Sequence, residues 1–303
     1  MADEPYMTWG PVEEEWILRV PGRLGLAPRA DLAPDDPRDR ICPFCPGGAE
    51  AVVGAVRAVP SKHPMVAQSN DNRTRQSRHW VLTYGESHDR RLGDLPLPVT
   101  VEFIEVVAVK TKQLFKVGDV QSVFAFESVG DHFGPTVAHP HGQLVGLPFI
   151  PRRLTLTNVD CQLCSPHMPE DLKIQRIGAA TLGVSPWSRL PFEMLTYPEA
   201  HHSSLMSMNS SEKQDLAKGI HTALNLAIAT HGGRRPPYLI NIMQAARGDT
   251  LHHFRVEIIP LHKDTESLKR PGGMELSLGV YLNPVTPNDA ATLLRQALEG
   301  IHA

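Results

Sequence analysis

Hydrophobic and polar positions follow one order along this chain, and the order occurs twice. The stretch VTVEFIEVVAVKTKQLFK, Val99 to Lys116, sets Phe103, Val106, Val107 and Leu114 on one helical stripe despite its β-branched residues. Ser211 to His231 carries Leu216, Ile220, Leu224 and Ile228 at four-residue spacing and stops at Gly232-Gly233, which predicts a second helix. Each helix leads into a short apolar run, Ser122 to Phe126 and Tyr238 to Met243, then a glycine-containing loop, then a segment bearing histidine. Strand, helix, strand, loop, strand in each half predicts an α+β fold: a duplicated unit with a mostly antiparallel sheet and flanking helices. Polar stretches at 35–40 and 68–77 read as surface loops, and 148–160 as the crossover. The expected division is 1–155 and 156–303.

The cysteines sharpen the repeat. All four fall in two pairs, Cys42-Pro-Phe-Cys45 and Cys161-Gln-Leu-Cys164. The N-terminus MADEPYMTWG lacks a basic region followed by an apolar core, so a cytoplasmic protein is expected, and there such pairs favour metal thiolates over disulfides. Pro46-Gly47-Gly48 and Pro166 follow the pairs, which suits a metal knuckle better than a redox helix. In the first half His88 follows after roughly 40 residues and His139 after roughly 50 more; in the second half His201 and His253 follow at similar distances. Leu92 and Leu95 trail His88 as Leu205 and Met208 trail His201, which favours His201 over its neighbour His202. Two thiolates and two imidazoles per half would make a closed tetrahedral zinc site, with Cys42, Cys45, His88 and His139 in one and Cys161, Cys164, His201 and His253 in the other. Such zinc stabilises the fold rather than acting on substrate.

Superposing the two final histidines aligns His139-Pro140-His141-Gly142-Gln143 with His253-Phe254-Arg255-Val256-Glu257. The outer histidine is kept and the inner one is not. His141 is therefore the candidate nucleophile, since a neutral imidazole attacks phosphorus well near pH 7 when its other nitrogen is held by a hydrogen bond. Gln143, two positions on, falls on the same face of an extended strand and can donate to a phosphoryl oxygen. The 1–155 half is expected to be catalytic and the 156–303 half a scaffold.

Bulk properties exclude more than they assign. With 303 residues, 41% hydrophobic and 21% charged, the chain is long enough for two cores. Thirty basic against 33 acidic residues give a formal charge of -3, so no nucleic-acid or anionic-membrane surface is expected. No apolar run approaches the roughly 18 to 20 residues of a membrane span.

The ordered motifs resemble the galactose-1-phosphate uridylyltransferase family, the transferase branch of the histidine-triad superfamily. They comprise Trp16-Ile17-Leu18 with Arg23, CPFC, Pro60-Ser61-Lys62-His63-Pro64, Arg78-His79-Trp80-Val81, HPHGQ, Pro191-Phe192-Glu193, Pro198-Glu199-Ala200-His201 and Met274-Glu275-Leu276 with Gly279 to Pro284. The resemblance implies ping-pong transfer of UMP from a UDP-sugar to a sugar 1-phosphate through a uridylyl-histidine at His141, with no organic cofactor, in a homodimer with its active site near the subunit contact. It implies substrate contacts by Arg23, Ser61, Lys62, Ser128, Thr136, Lys269 and Glu275. Departures cluster around substrate positions: Ser61 and His63 stand where the family pattern has Asn and Phe, Ser128 where Asn is common, and Met274 where an aromatic precedes the glutamate. Arg255 interrupts the second-half histidine pair that some members use for another metal. Rival readings are a dinucleoside-polyphosphate phosphorylase or nucleotide hydrolase of the same superfamily, and a zinc-stabilised nucleotide-binding protein without turnover.

Overall fold

The computed structural model describes residues 4–10, 14–21, 42–48, 50–51, 54–67, 77–88, 90–130, 133, 137, 139–155, 161–164 and 167–302. Arg23 and Thr136 lie outside the described residues. The first predicted helix is α1, Leu97–Leu114, entered through Pro96 and Pro98. It buries Phe103, Ile104, Val107 and Leu114, so packing overrides the weak helix propensity of its β-branched residues. The second is α2, Ser210–Thr230, buried through Leu216, Ile220 and Leu224. It begins one residue earlier than predicted because Asn209 caps it: the Asn209 side chain accepts from the Glu212 amide while the Glu212 carboxylate accepts from that of Asn209. Gly232 and Gly233, both at positive φ, end it.

Two short strands, β1 (Tyr6–Gly10) and β2 (Glu15–Arg19), form a separate hairpin. The others are β3 (Val56–Pro60), β4 (His79–Tyr84), β5 (Ser122–Val129), β6 (His141–Leu147), β7 (Lys173–Ile177), β8 (Ala180–Val184), β9 (Met194–Pro198), β10 (Tyr238–Met243) and β11 (Arg255–Pro260). They make one nine-stranded sheet in the order β3-β4-β6-β5-β10-β11-β9-β8-β7, antiparallel at each pairing. Around the β5–β10 seam the order mirrors itself, β3-β4-β6-β5 against β8-β9-β11-β10, with β7 added at one edge. The predicted repeat thus becomes two units joined edge to edge. Leu92 and Leu205, equivalent in the repeat, each begin a short 3-10 turn and are fully buried.

Helices α1 and α2, with the C-terminal helices α3 (Gly273–Leu278) and α4 (Pro287–His302), are the α-helices among the described residues. Contacts of α1 with β3 and β6, of α2 with β8 and β9, and of α4 with β7 and β8 place these three helices on one face of the sheet. One core runs beneath them through both halves, from Leu82 and Leu144 to Leu182, Ile258 and Leu294. Period-two alternation sends the other side chains of β6 to the opposite face, where Val145 and Leu147 meet Leu18 of the hairpin and Trp16 stacks on Phe149. Among the described residues, no helix is long and apolar enough to cross a membrane.

Candidate active site

The loops before β6 and β11 each bring one histidine, His139 or His253, to the clusters that the cysteine spacing predicted. Donor atoms of Cys42, Cys45, His88 and His139 lie within 4.8 Å of one another, as do those of Cys161, Cys164, His201 and His253. All four cysteines are free thiols. In the second cluster the His253 Nε2–H donates to the Pro198 carbonyl at 2.9 Å and the His201 Nε2–H to Thr250 at 3.0 Å. Both rings therefore turn Nδ1 inward, with His253 Nδ1 3.2 Å from Cys161 Sγ and His201 Nδ1 3.4 Å from Cys164 Sγ. Imidazoles held from behind by carbonyls, facing thiols, are the arrangement of metal ligands, and each cluster could hold a metal ion. In the first, His139 is fully buried and its Nδ1 stands 3.6 Å from Cys45 Sγ. Burial pushes the Cys42 thiol up, but hydrogen bonds from His139 and the Phe44 and Cys45 amides outweigh it and bring it to about 7.

The strand begins at His141, so His139 stands outside the row that His141 and Gln143 form. His139 turns into the cluster, while His141 and Gln143 share the open face of β6. A hydrogen bond ties His141 back to the cluster: its Nδ1 lies 2.8 Å from the carbonyl oxygen of His139. A carbonyl only accepts, so Nδ1 carries the proton and Nε2 keeps its lone pair. Burial holds the His141 imidazolium below its usual pKa, opposed by the His139 carbonyl bond. Gly142 sits between the two functional side chains with its Cα against α1; a Cβ there would come within 2.8 Å of the Phe103 ring. Glycine is thus what lets β6 lie close to its helix.

His141 and Gln143 open into a cavity of about 210 Å³ lined also by Phe44, Glu50, Ser61, Lys62 and His79. Ser61 and Lys62 are therefore brought to the histidine as predicted, with Lys62 3.5 Å from Glu50. Ser128 lies on β5 and pairs with Leu239 of β10, outside the lining. Lys269 and Glu275 are also outside it. They bind each other at 2.6 Å, and Glu275 accepts from the Gly272 amide, which holds its carboxyl down at about 2. Three lining residues escaped the sequence reading. Phe44, inside CPFC, places its ring 5.6 Å from that of His141. Glu50 pairs with Lys62 and Arg57. His79, fully buried on β4, contacts Gln143.

The same register positions in the second half hold charge. Arg255 bonds Glu257 at 3.0 Å, Arg153 reaches it at 3.2 Å and Arg189 at 3.4 Å, and Arg189 also binds Glu193 at 2.8 Å. These residues line a separate cavity of about 240 Å³ with Trp187 at its edge.

No family model matches the chain. Curated relatives do, over nearly its whole length. The galactose-1-phosphate uridylyltransferase of Thermotoga maritima is 26% identical, covering 96% of this chain and 98% of the relative. The ADP-glucose phosphorylase of Arabidopsis thaliana is 24% identical over 96% of this chain and 93% of its own. Among solved structures, a uridylyltransferase superposes with a TM-score of 0.81 at 25% identity, covering 97% of this chain and 98% of that one. The Arabidopsis ADP-glucose phosphorylase, solved with ADP-glucose bound, gives 0.71 at 21% identity, covering 96% and 99%. The resemblance and the α+β antiparallel fold are borne out, and the relatives named uridylyltransferase support a nucleotidyltransferase.

Proposed function

We propose that this chain, similar along its length to galactose-1-phosphate uridylyltransferases, moves a uridylyl group from a UDP-sugar to a sugar 1-phosphate through His141. The observation that carries this reading is the bond from His141 Nδ1–H to the His139 carbonyl, which leaves Nε2 as the nucleophile. Nε2 attacks the α-phosphorus and the bond to the bridging β-phosphate oxygen breaks. The sugar 1-phosphate departs with that electron pair, so its low basicity makes a general acid dispensable. The positive charge that the ring gains is stabilised by the same carbonyl. A second sugar 1-phosphate then attacks the phosphorus from its own oxygen, and the phosphorus–nitrogen bond breaks to restore His141. Gln143 donates to the phosphoryl oxygens as charge redistributes, and Ser61 and Lys62 lie where the donor enters.

The clusters fit zinc, with two soft thiols and two imidazoles each and, among the described residues, no fifth donor. Zinc bound there would brace the segment that carries the His139 carbonyl, supplying structural support and no chemical step. We read 1–155 as the catalytic half and 156–303 as the scaffold. A homodimer is the expected assembly: Leu276, Leu278, Val280, Tyr281 and Leu282 form an exposed apolar run beside the Lys269–Glu275 pair, so a second copy would both cover it and meet those substrate residues.

The ADP-glucose phosphorylase relative favours a second reading, with adenine as the base and inorganic phosphate as the acceptor. One experiment separates them. Intact mass is measured after exposure to UDP-glucose or ADP-glucose, then after adding galactose 1-phosphate or phosphate. A uridylyl increment removed by the sugar phosphate supports the first reading, and an adenylyl increment removed by phosphate supports the second. A protein unmodified by either donor contradicts both.

A further inference from the structure

The hydrogen bond between His79 and Gln143 has a fixed direction. The Met65 backbone amide donates to His79 Nδ1 at 3.2 Å, and a backbone N–H cannot accept. Nδ1 is therefore unprotonated, the proton sits on Nε2, and Nε2–H donates to Gln143 Oε1 at 3.0 Å. With its oxygen engaged from behind, the Gln143 amide presents its NH2 group to the cavity. A flipped amide would set two donors against each other.

The counterpart in the scaffold half shows what this pairing replaces. β4 pairs Val81 with Gln143, and β9 pairs Leu195 with Glu257. Two residues before each stand His79 and Glu193. Where one half has a neutral imidazole behind an amide, the other has two carboxylates joined through Arg189.

We propose that His79 is a positioning residue for Gln143, orienting the amide so that it donates to the transferred phosphoryl group and cannot present its oxygen to it. This rests on the reading of His141 as the nucleotidylated residue. It adds the reason Gln143 acts as a donor: an amide free to rotate would offer oxygen to an anionic phosphate as readily as nitrogen, and would lose most of its stabilising effect.

The test combines His79→Leu, which removes the donor, with His79→Gln, which keeps one on a side chain of similar reach. First-turnover nucleotidylation by UDP-glucose and ADP-glucose is followed by quench and intact mass. His79→Leu is expected to slow it about 10- to 100-fold, short of the roughly 10²–10³-fold for deleting such a donor, with donor half-saturation changed less than about threefold. His79→Gln should recover most of the rate. Combined with Gln143→Ala, His79→Leu should cost nothing further, because both act through one amide. A merely structural role would lower thermal stability and the folded fraction but not the rate per folded molecule. Independent losses in the double variant, or an unslowed His79→Leu, would overturn the proposal. Side-chain 15N NMR of wild-type protein gives a check that needs no turnover: pyrrole-type Nε2 and pyridine-type Nδ1 are expected for His79, and the opposite tautomer or an imidazolium refutes it. Should neither donor label the wild type, the transferase reading fails, while the NMR result still decides the His79–Gln143 pair.

Discussion

β6 and β11 occupy mirrored places in the sheet, each follows a Cys2His2 cluster, and they differ most at two side chains. β6 carries His141 and Gln143, β11 carries Arg255 and Glu257. The Cys2His2 cluster is common to both and so cannot by itself make a site reactive. What it provides is a rigid backbone, and the reactivity lies in whether the next groups are neutral and directed or charged and mutually satisfied. In the second half five charged side chains, three arginines and two glutamates, pair with one another. In the first, the His139 carbonyl holds His141 and His79 holds Gln143, which leaves one imidazole lone pair and the amide NH2 for a ligand. The largest expected effect follows. His141→Ala should reduce turnover by at least about 10⁴-fold, the scale of removing a covalent nucleophile, while its melting temperature stays near wild type. Arg255→Ala should retain turnover per folded molecule. Steady-state rates and melting curves for both variants test this, and comparable rate losses would end the division of labour between the halves.

Breaking the cages one at a time sharpens the same contrast. Cys42→Ser loosens the loop whose His139 carbonyl holds His141, so one metal equivalent and nearly all activity should go together. Cys161→Ser should also lose one equivalent, yet keep substantial activity at a temperature where it remains folded. Metal stoichiometry by mass spectrometry beside initial rates reads both, and equal rate losses would mean the cages are functionally coupled.

Third in size is the ion network itself. Burial pushes the Glu257 carboxyl up, and the charges of Arg255, Arg153 and Arg189 overcome it and hold the acid below its usual range. Removing one partner of a buried pair costs about 3–5 kcal/mol, and Arg255→Ala should fall at the low end because two guanidinium groups remain. Urea denaturation measures it. A loss below about 1 kcal/mol would show that the network is surface-like and that burial adds little.

The two Cys2His2 clusters, the α+β order and the singling out of His141 against Arg255 were legible in the sequence because each is a repeated or once-broken local pattern. A CxxC pair and a terminal histidine recurring at matched spacing leave few alternatives, and a histidine absent from the second copy marks itself. What was hidden depends on distance across the sheet. His79 is a lone histidine on an apolar strand, and nothing in its neighbourhood announces that its register brings it behind Gln143. The Arg153, Arg189 and Glu257 network draws on three separate segments. Lys269 and Glu275 carry no signal that they pair with each other outside the His141 cavity. Sequence spacing names ligands for one metal well, since their geometry is local to each atom; it does not name which strands become neighbours.

A final asymmetry lies beneath the active strand and has the smallest expected effect. Glu127 of β5 pairs with Gly142, on the helix-covered side, and its mirror position on β10 is Ile242, which pairs with Val256. Burial raises the Glu127 carboxyl to about 7, opposed by hydrogen bonds from the Tyr84 and Tyr238 hydroxyls and by the charge of Arg91. Its unfolded value is 4.5. Because the folded pKa lies above the unfolded one, this group's contribution is fully present below about 4.5 and is lost as pH rises to about 7; beyond that the deficit is constant. Glu127→Gln carries no such titration. Relative to that variant, wild type should therefore lose about 3 kcal/mol between pH 4 and pH 8, a change to be followed by parallel urea titrations of the two proteins. Acid release of metal affects both equally and cancels in the difference. Parallel stability curves would mean that Glu127 is ionised in the fold, with Arg91 compensating it, and that the first half tolerates a buried charge where the second has only isoleucine.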